Sequence, residues 1–215
     1  MKLLKIVPEI YKFDTTEEFA NFFNIGKRDL ILTNEFLYKP LLEKYADGAD
    51  VIFQEKYGSG EPSDEMINKI IKDMGNKKYA RILALGGGTV IDIAKLLSLK
   101  YTEDSLDLFE EKVPLIKDKE LIIVPTTCGT GSEVTNISVA ELKSRHTKKG
   151  LAEDALYADY AVLIPELVKN LPYKFFVTSS VDALIHASES YLSPKATSYT
   201  EMFSIEAIRL ILNGY

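Results

Sequence analysis

Three short runs made almost wholly of apolar residues constrain this chain most: residues 29–33 (DLILT), 81–85 (RILAL) and 121–124 (LIIV). A strand without a polar face has nothing to offer water, so both of its sides must be covered. The runs alternate with stretches whose apolar residues recur at helical spacing. Short buried strands alternating with helices predict an α/β fold, a parallel sheet layered between helices. Residues 51–54 read as a further strand and residues 161–164 as the last. Residues 61–64 read as a turn, with Ser63 placed to cap a helix through Met66, Ile67, Ile70 and Ile71. A glycine run at residues 86–88 leads into a helix expected over residues 90–99.

The texture changes after Pro172. Residues 175–191 are helical in pattern throughout, residues 200–212 form a second helix, and Asn213-Gly214 offers it a stop. The boundary therefore falls near Leu171-Pro172, with an α/β domain over residues 1–171 and the beginning of an all-helical region over residues 172–215. The formal net charge of -6 argues against nucleic acid or an anionic membrane as partner, since both require a basic face. Cys128 is the single cysteine, which excludes an intrachain disulfide and fits a reducing compartment. The amino terminus lacks the apolar run of a signal peptide, and no stretch approaches the roughly 18 apolar residues of a membrane span. A cytoplasmic protein is expected.

Three constellations carry chemistry. GGGTVIDIAK, residues 86–95, follows a buried strand and opens a helix. Glycines let a backbone approach a pyrophosphate, and the free amides and dipole at a helix start hold its charge. Three successive glycines exceed what a tight turn that binds nothing requires. The spacing is neither G-x-G-x-x-G nor a Walker loop. Thr89 and Asp92 have the spacing of a capping box, with Asp in place of Glu or Gln. PTTCGTGSEVT, residues 125–135, again follows a buried strand; Thr126, Thr127, Thr130 and Ser132 offer hydroxyls to a ribose or phosphate. Cys128 reads as a small loop residue, because no histidine lies near it in sequence. In VDALIHASESY, residues 181–191, Asp182 and His186 share one helix face. A carboxylate and an imidazole suit a divalent first-row metal, although spacing alone favours a hydrogen-bonded surface pair. The other histidine, His146, sits among lysines and is expected to face solvent.

Taken together and in this order, GGGTVIDIAK, PTTCGTGSEVT and VDALIHASES resemble the three signature stretches of the iron-containing alcohol dehydrogenase family, and the resemblance extends over nearly the whole chain. The stretch KFFVTSSVDALIHASESYLSP is most similar to the 4-hydroxybutyrate dehydrogenase branch. The resemblance implies a Rossmann-like domain over residues 1–171, the beginning of an all-helical metal and substrate domain over residues 172–215, and a site in the cleft between them. It implies that Gly86, Gly87 and Gly88 line the pyrophosphate, that Thr126 and Thr127 touch the cofactor, and that Lys149 stands near it. Asn34 occupies the position where the family often carries an aspartate that discriminates between cofactors, so NAD is expected with NADP also accepted. Asp182 and His186 match the first two of four metal ligands; the other two are histidines that would follow Tyr215. Two further departures are Ser180, where the family has glycine, and Ile164-Pro165, where Asp-Pro is common.

The implied activity is reversible hydride transfer between NAD(P) and a primary alcohol or aldehyde, with 4-hydroxybutyrate and succinate semialdehyde as the pair, assisted by Fe(II) or another divalent metal such as Zn(II). No residue stands out as a general base. The expected partners are a small-molecule alcohol or aldehyde and, at full length, further copies of the chain. With two ligands missing, the chain reads as the amino-terminal part of a longer enzyme, expected not to catalyse alone. Another enzyme of the same fold, a polyol dehydrogenase or one like dehydroquinate synthase, is the alternative reading. A truncated nucleotide-binding fragment without activity is the other.

Overall fold

The computed structural model describes residues 3–75, 77–100 and 102–214. Its centre is a six-stranded sheet in the order β1-β8-β5-β4-β2-β3, with every neighbouring pair parallel. The strands are β1 (Glu9–Lys12), β2 (Asp29–Thr33), β3 (Asp50–Phe53), β4 (Arg81–Gly86), β5 (Glu120–Pro125) and β8 (Tyr160–Leu163). Between the last two in sequence lies an antiparallel hairpin of β6 (Ile137–Leu142) and β7 (Thr147–Ala152). All five residues of β2 are buried, as are the last five of β4 and of β5. The sheet expected from the apolar runs is therefore present, and its central strands lie within one residue of where those runs place them.

Helices cover both faces. On one side, α3 (Asp64–Met74), α4 (Gly88–Leu97) and α5 (Ser105–Phe109) pack Ile67, Ile70, Ile93 and Phe109 against Leu30, Leu32, Ile82 and Ile123. On the other, α1 (Thr16–Phe23) and α2 (Glu35–Leu41) bring Phe19, Phe23 and Tyr38 over Ile31, Leu83, Leu85 and Val124. Alternate residues of each strand thus feed two separate cores, as a strand's period of two requires. Ser63 caps α3, its Oγ accepting from the Met66 amide at 3.3 Å.

Chain direction defines a functional edge. From β2 the chain moves outward to β3, then returns past β2 to β4 and runs the opposite way through β5 and β8. The order reverses between β2 and β4, and in open parallel sheets ligands bind outside the carboxyl ends of the strands at such a reversal.

Two compact units are distinguished. One comprises Val7–Thr126 and Ser132–Lys169 and holds all the strands; the other comprises Met1–Ile6, Thr127–Gly131 and Asn170–Tyr215. The second contains α6 (Tyr173–Leu192) and α7 (Ser198–Gly214), packed on each other with Ser204 Oγ 3.0 Å from Ser190 Oγ. Among the described residues, no helix is long and apolar enough to cross a membrane.

Helix α7 is assigned through Gly214, at the Asn213-Gly214 stop. Several expectations needed correction. Helix α4 begins at Gly88, two residues before the expected start, because the glycine run itself supplies the first turn. Strand β1 and the β6–β7 hairpin were not anticipated. In β6 burial alternates, with Ser138, Ala140 and Leu142 buried, but polarity does not follow it, since Ile137 and Val139 are exposed.

Replacing Ser63 with alanine removes an N-cap acceptor and is expected to cost about 1 kcal/mol. Urea unfolding should show this as a lower midpoint at unchanged slope.

Candidate functional site

The glycine turn begins where β4 ends. Gly86 is the last residue of the strand, Gly87 is the N-cap of α4, and no side chain caps that helix. The expected capping box is absent. Thr89 Oγ1 donates instead to the Gly60 carbonyl at 2.8 Å, and the Asp92 carboxylate accepts from Ser132 Oγ at 2.9 Å and from the Val139 amide at 3.0 Å. The first-turn amides of an α-helix have no partner within the helix, so here they are left for an outside acceptor. A Cβ on Gly86 would come within 2.7 Å of Val90 Cγ2, whereas a Cβ on Gly88 would meet nothing within 4 Å. Gly86 is thus required by packing, and Gly88 borders open space at the helix start. Uncapped amides beside open space are what a pyrophosphate needs, so the turn fits a dinucleotide.

Neighbouring strand ends are tied to the turn. Thr33 Oγ1 donates to the Leu85 carbonyl at 2.7 Å, and the Thr126 amide donates to the Gly86 carbonyl at 3.1 Å. Asn34 follows directly on β2, one strand away from β4. Gly86, Gly87, Gly88, Thr126 and Asn34 are therefore gathered along one edge of the sheet. Thr127 falls within the second compact unit. Lys149 lies on β7, where its ammonium donates to the carbonyl of Phe109 at the end of α5.

One residue of the site escaped the sequence reading. Lys95 is fully buried, and its ammonium donates to Ser132 Oγ at 2.9 Å, Thr135 Oγ1 at 3.1 Å and the Ile137 carbonyl at 2.7 Å. The Asp92 carboxylate stands 3.8 Å away. Ser132, expected to offer its hydroxyl to a cofactor, spends it on Asp92 and Lys95. Burial pushes the Lys95 ammonium down to about 8 against the pull of Asp92 and Glu133. Burial likewise raises Asp92 and Glu133, only partly offset by the donors around them. The signal was a lysine ending an otherwise apolar helix face, ordinarily read as a solvated tail.

Within the second unit, Asp182 and His186 share a face of α6 with Oδ1 and Nε2 3.8 Å apart, each side chain about half exposed. A carboxylate oxygen and an imidazole nitrogen suit a divalent metal, but among the described residues no group of three or more candidate ligands converges. The donor set fits part of a metal site. Ser180, standing where glycine was expected, returns its hydroxyl to the Phe176 carbonyl at 2.8 Å and so leaves no donor unpaired in the helix. Gly129 passes close to the same helix, where a Cβ would come 3.2 Å from Ser179 Cβ. Cys128 is exposed, with Sγ 3.7 Å from Ser179 Oγ. His146 takes a left-handed conformation in the turn before β7.

Residues 8–165 match the family described as iron-containing alcohol dehydrogenase, and residues 176–215 match the carboxyl-terminal part of the Fe-containing alcohol dehydrogenase family. The 4-hydroxybutyrate dehydrogenase of Clostridium kluyveri is 76% identical over all 215 residues, and the chain spans 58% of that enzyme's length. An iron-containing alcohol dehydrogenase from Thermotoga maritima superposes with a TM-score of 0.79 at 25% identity, covering 97% of this chain and 60% of the other. A sulfoacetaldehyde reductase from Bifidobacterium kashiwanohense, solved in complex with NAD+, shares the fold with a TM-score of 0.83 at 21% identity, covering 96% of this chain and 57% of its own.

Lys95→Met would leave the part-buried carboxylates of Asp92 and Glu133 without the neighbouring cation, which is expected to cost about 1–3 kcal/mol. Between pH 8 and 10.5 the unfolded chain retains a proton that folded Lys95 has released. The stability of the unaltered chain relative to Lys95→Met should therefore climb through that window, as read by urea unfolding at a series of pH values.

Proposed function

The chain belongs to the iron-containing alcohol dehydrogenase family, and on that premise we propose that it holds a nicotinamide dinucleotide at the carboxyl ends of β2, β4 and β5 and contributes two ligands to a divalent metal. The enzyme moves hydride reversibly between a primary alcohol and its aldehyde, with 4-hydroxybutyrate and succinate semialdehyde as the pair. The observation that carries the cofactor reading is the uncapped start of α4 beside the reversal of strand order. The identity of 76% to a 4-hydroxybutyrate dehydrogenase over every residue of the chain supports the substrate pair.

In this reading the amides of the first turn of α4 receive the pyrophosphate, and Gly88 keeps side-chain bulk out of its path. Thr126 holds the cofactor from the end of β5. Asp182 and His186 bind the metal through a carboxylate oxygen and a ring nitrogen. When bound, the nicotinamide accepts the hydride, and a metal such as Fe(II) or Zn(II) acts as the Lewis acid that favours the alkoxide. Lys95 acts at one remove: by joining α4 to Ser132, Thr135 and Ile137, it fixes where the chain re-enters the sheet domain after the threonine-rich loop.

Two glycine variants separate binding from packing. Gly88→Ala should leave stability unchanged and weaken NADH about tenfold or more, the scale set by losing a charge-assisted hydrogen bond. Gly86→Ala should lower stability by about 1–3 kcal/mol through its clash with Val90. Fluorescence titration with NADH and urea unfolding measure the two effects; full NADH affinity in Gly88→Ala would reject the assignment.

The metal reading is tested by equilibrium binding of Zn(II) to the chain. His186→Ala should weaken that binding while NADH affinity is retained. Undiminished metal binding in that variant would remove His186 from the site.

A further inference from the structure

Asn34 carries no charge, and the carboxylate that follows it, Glu35, is paired with Lys39 at 2.7 Å. The fold brings a second carboxylate here. Two residues beyond β3, Glu55 reaches back to the end of β2, where its Oε2 accepts from Asn34 Nδ2 at 2.8 Å and its Oε1 accepts from the Glu35 amide at 2.7 Å. We infer that Glu55, held at the carboxyl end of β2 by Asn34 and by the start of α2, is the residue that makes this chain select NAD(H) over its 2′-phosphorylated counterpart. The inference rests on the dinucleotide reading of the glycine turn.

Placement comes first. Strands in a sheet lie ~4.8 Å apart, so the end of β2 is about 5 Å from the glycine turn of β4 and the end of β3 about 10 Å away. In doubly wound folds the pyrophosphate sits on the helix start, and the adenosine ribose extends toward a neighbouring strand end carrying an acidic residue. Here that acidic group is borrowed from the strand one further out. Because its carboxylate is drawn over β2, it occupies the place that an aspartate at position 34 would fill.

Rigidity is the second point. Asn34 is the N-cap residue of α2, yet its side chain does not cap that helix; Glu55 satisfies the first amide instead. Gln54 beside it is buried, with Nε2 donating to the Gly58 carbonyl at 3.0 Å, which holds the turn carrying Glu55. A carboxylate with both oxygens engaged at the start of a helix is held in place. It still has lone pairs for the 2′- and 3′-hydroxyls of a ribose.

Two cations stand nearby, and each has another partner. Lys39 is committed to Glu35 at 2.7 Å, and that contact holds the Glu35 carboxyl below its usual range. The ammonium of Lys56 stands 4.8 Å from the centre of the Phe53 ring. Asn34 therefore acts as a positioning residue and Glu55 as the discriminating charge.

The test is equilibrium binding of NADH and NADPH to the 215-residue chain, read by nicotinamide fluorescence at low and at high salt. The unaltered chain should prefer NADH. In Glu55→Gln, NADPH should tighten by roughly fivefold or more at low salt while NADH changes little, and the gain should shrink as salt rises. Lys56→Met leaves Glu55 in place and should keep the preference. A purely structural Glu55 would weaken both cofactors together, or neither. NADH bound with an unchanged NADPH ratio in Glu55→Gln overturns the role of Glu55 and leaves the dinucleotide reading intact. Failure of the unaltered chain to bind either cofactor overturns that reading and this inference with it.

Discussion

Burial of both faces of β2, β4 and β5 is the constraint on which the rest of this structure depends. These strands present almost no polar atom to solvent, so helices must lie above and below them, and a chain with helices on both faces returns each time to the same end of the sheet. All the turns that follow a strand then collect along one edge. Gly86, Thr126, Asn34 and Glu55 are neighbours for that reason and for no reason of sequence proximity. Two of the hydrogen bonds along the edge, Thr33 to Leu85 and Thr126 to Gly86, continue the sheet's pairing into the turns and fix their relative height.

Asp92 links this edge to the loop beyond it. Had its carboxylate folded back to cap α4, the first turn of that helix would be closed to an external anion. It points across instead to Ser132 and Val139, so one side chain leaves the cradle open and anchors the hairpin. The arrangement is costly: Asp92, Glu133 and Lys95 are each pushed by burial toward the neutral form. They remain tolerable as a set because each charge finds hydrogen-bond partners, and removing any one would leave the others exposed to the full desolvation penalty.

The α6–α7 pair is built differently. Its buried positions are small residues, Ser180, Ala187 and Ser204, which allow close approach of the helices, while Phe175, Val181, Ile185, Phe203 and Ile205 remain exposed. Serine hydroxyls buried there are returned to carbonyls of the preceding turn. Asp182 and His186 share the exposed character of their helix, and spacing on that helix is all that brings them together.

Sequence alone determined five of the six strands of the central sheet, the cap at Ser63, the two glycine-rich turns, the pairing of Asp182 with His186 and the family. Each of these depends on interactions within one short segment or on a run of apolar residues with a single physical solution. It did not reveal β1, whose exposed edge lacks an apolar run, nor the hairpin, whose buried face carries Ser138 while Ile137 and Val139 are exposed. Only the tertiary structure decided what the polar side chains do. Ser132 and Asp92 looked like cofactor and cap groups by local spacing, yet partners some 40 residues away claimed them. Lys95 stood only as the last residue of the glycine-led stretch, yet it became the centre of a buried network. Glu55 had no local signal, because its position over β2 exists only once β3 is laid beside that strand. A buried polar group must be satisfied wherever a partner can be found, and which partners are within reach is a property of the folded sheet, not of the neighbouring sequence.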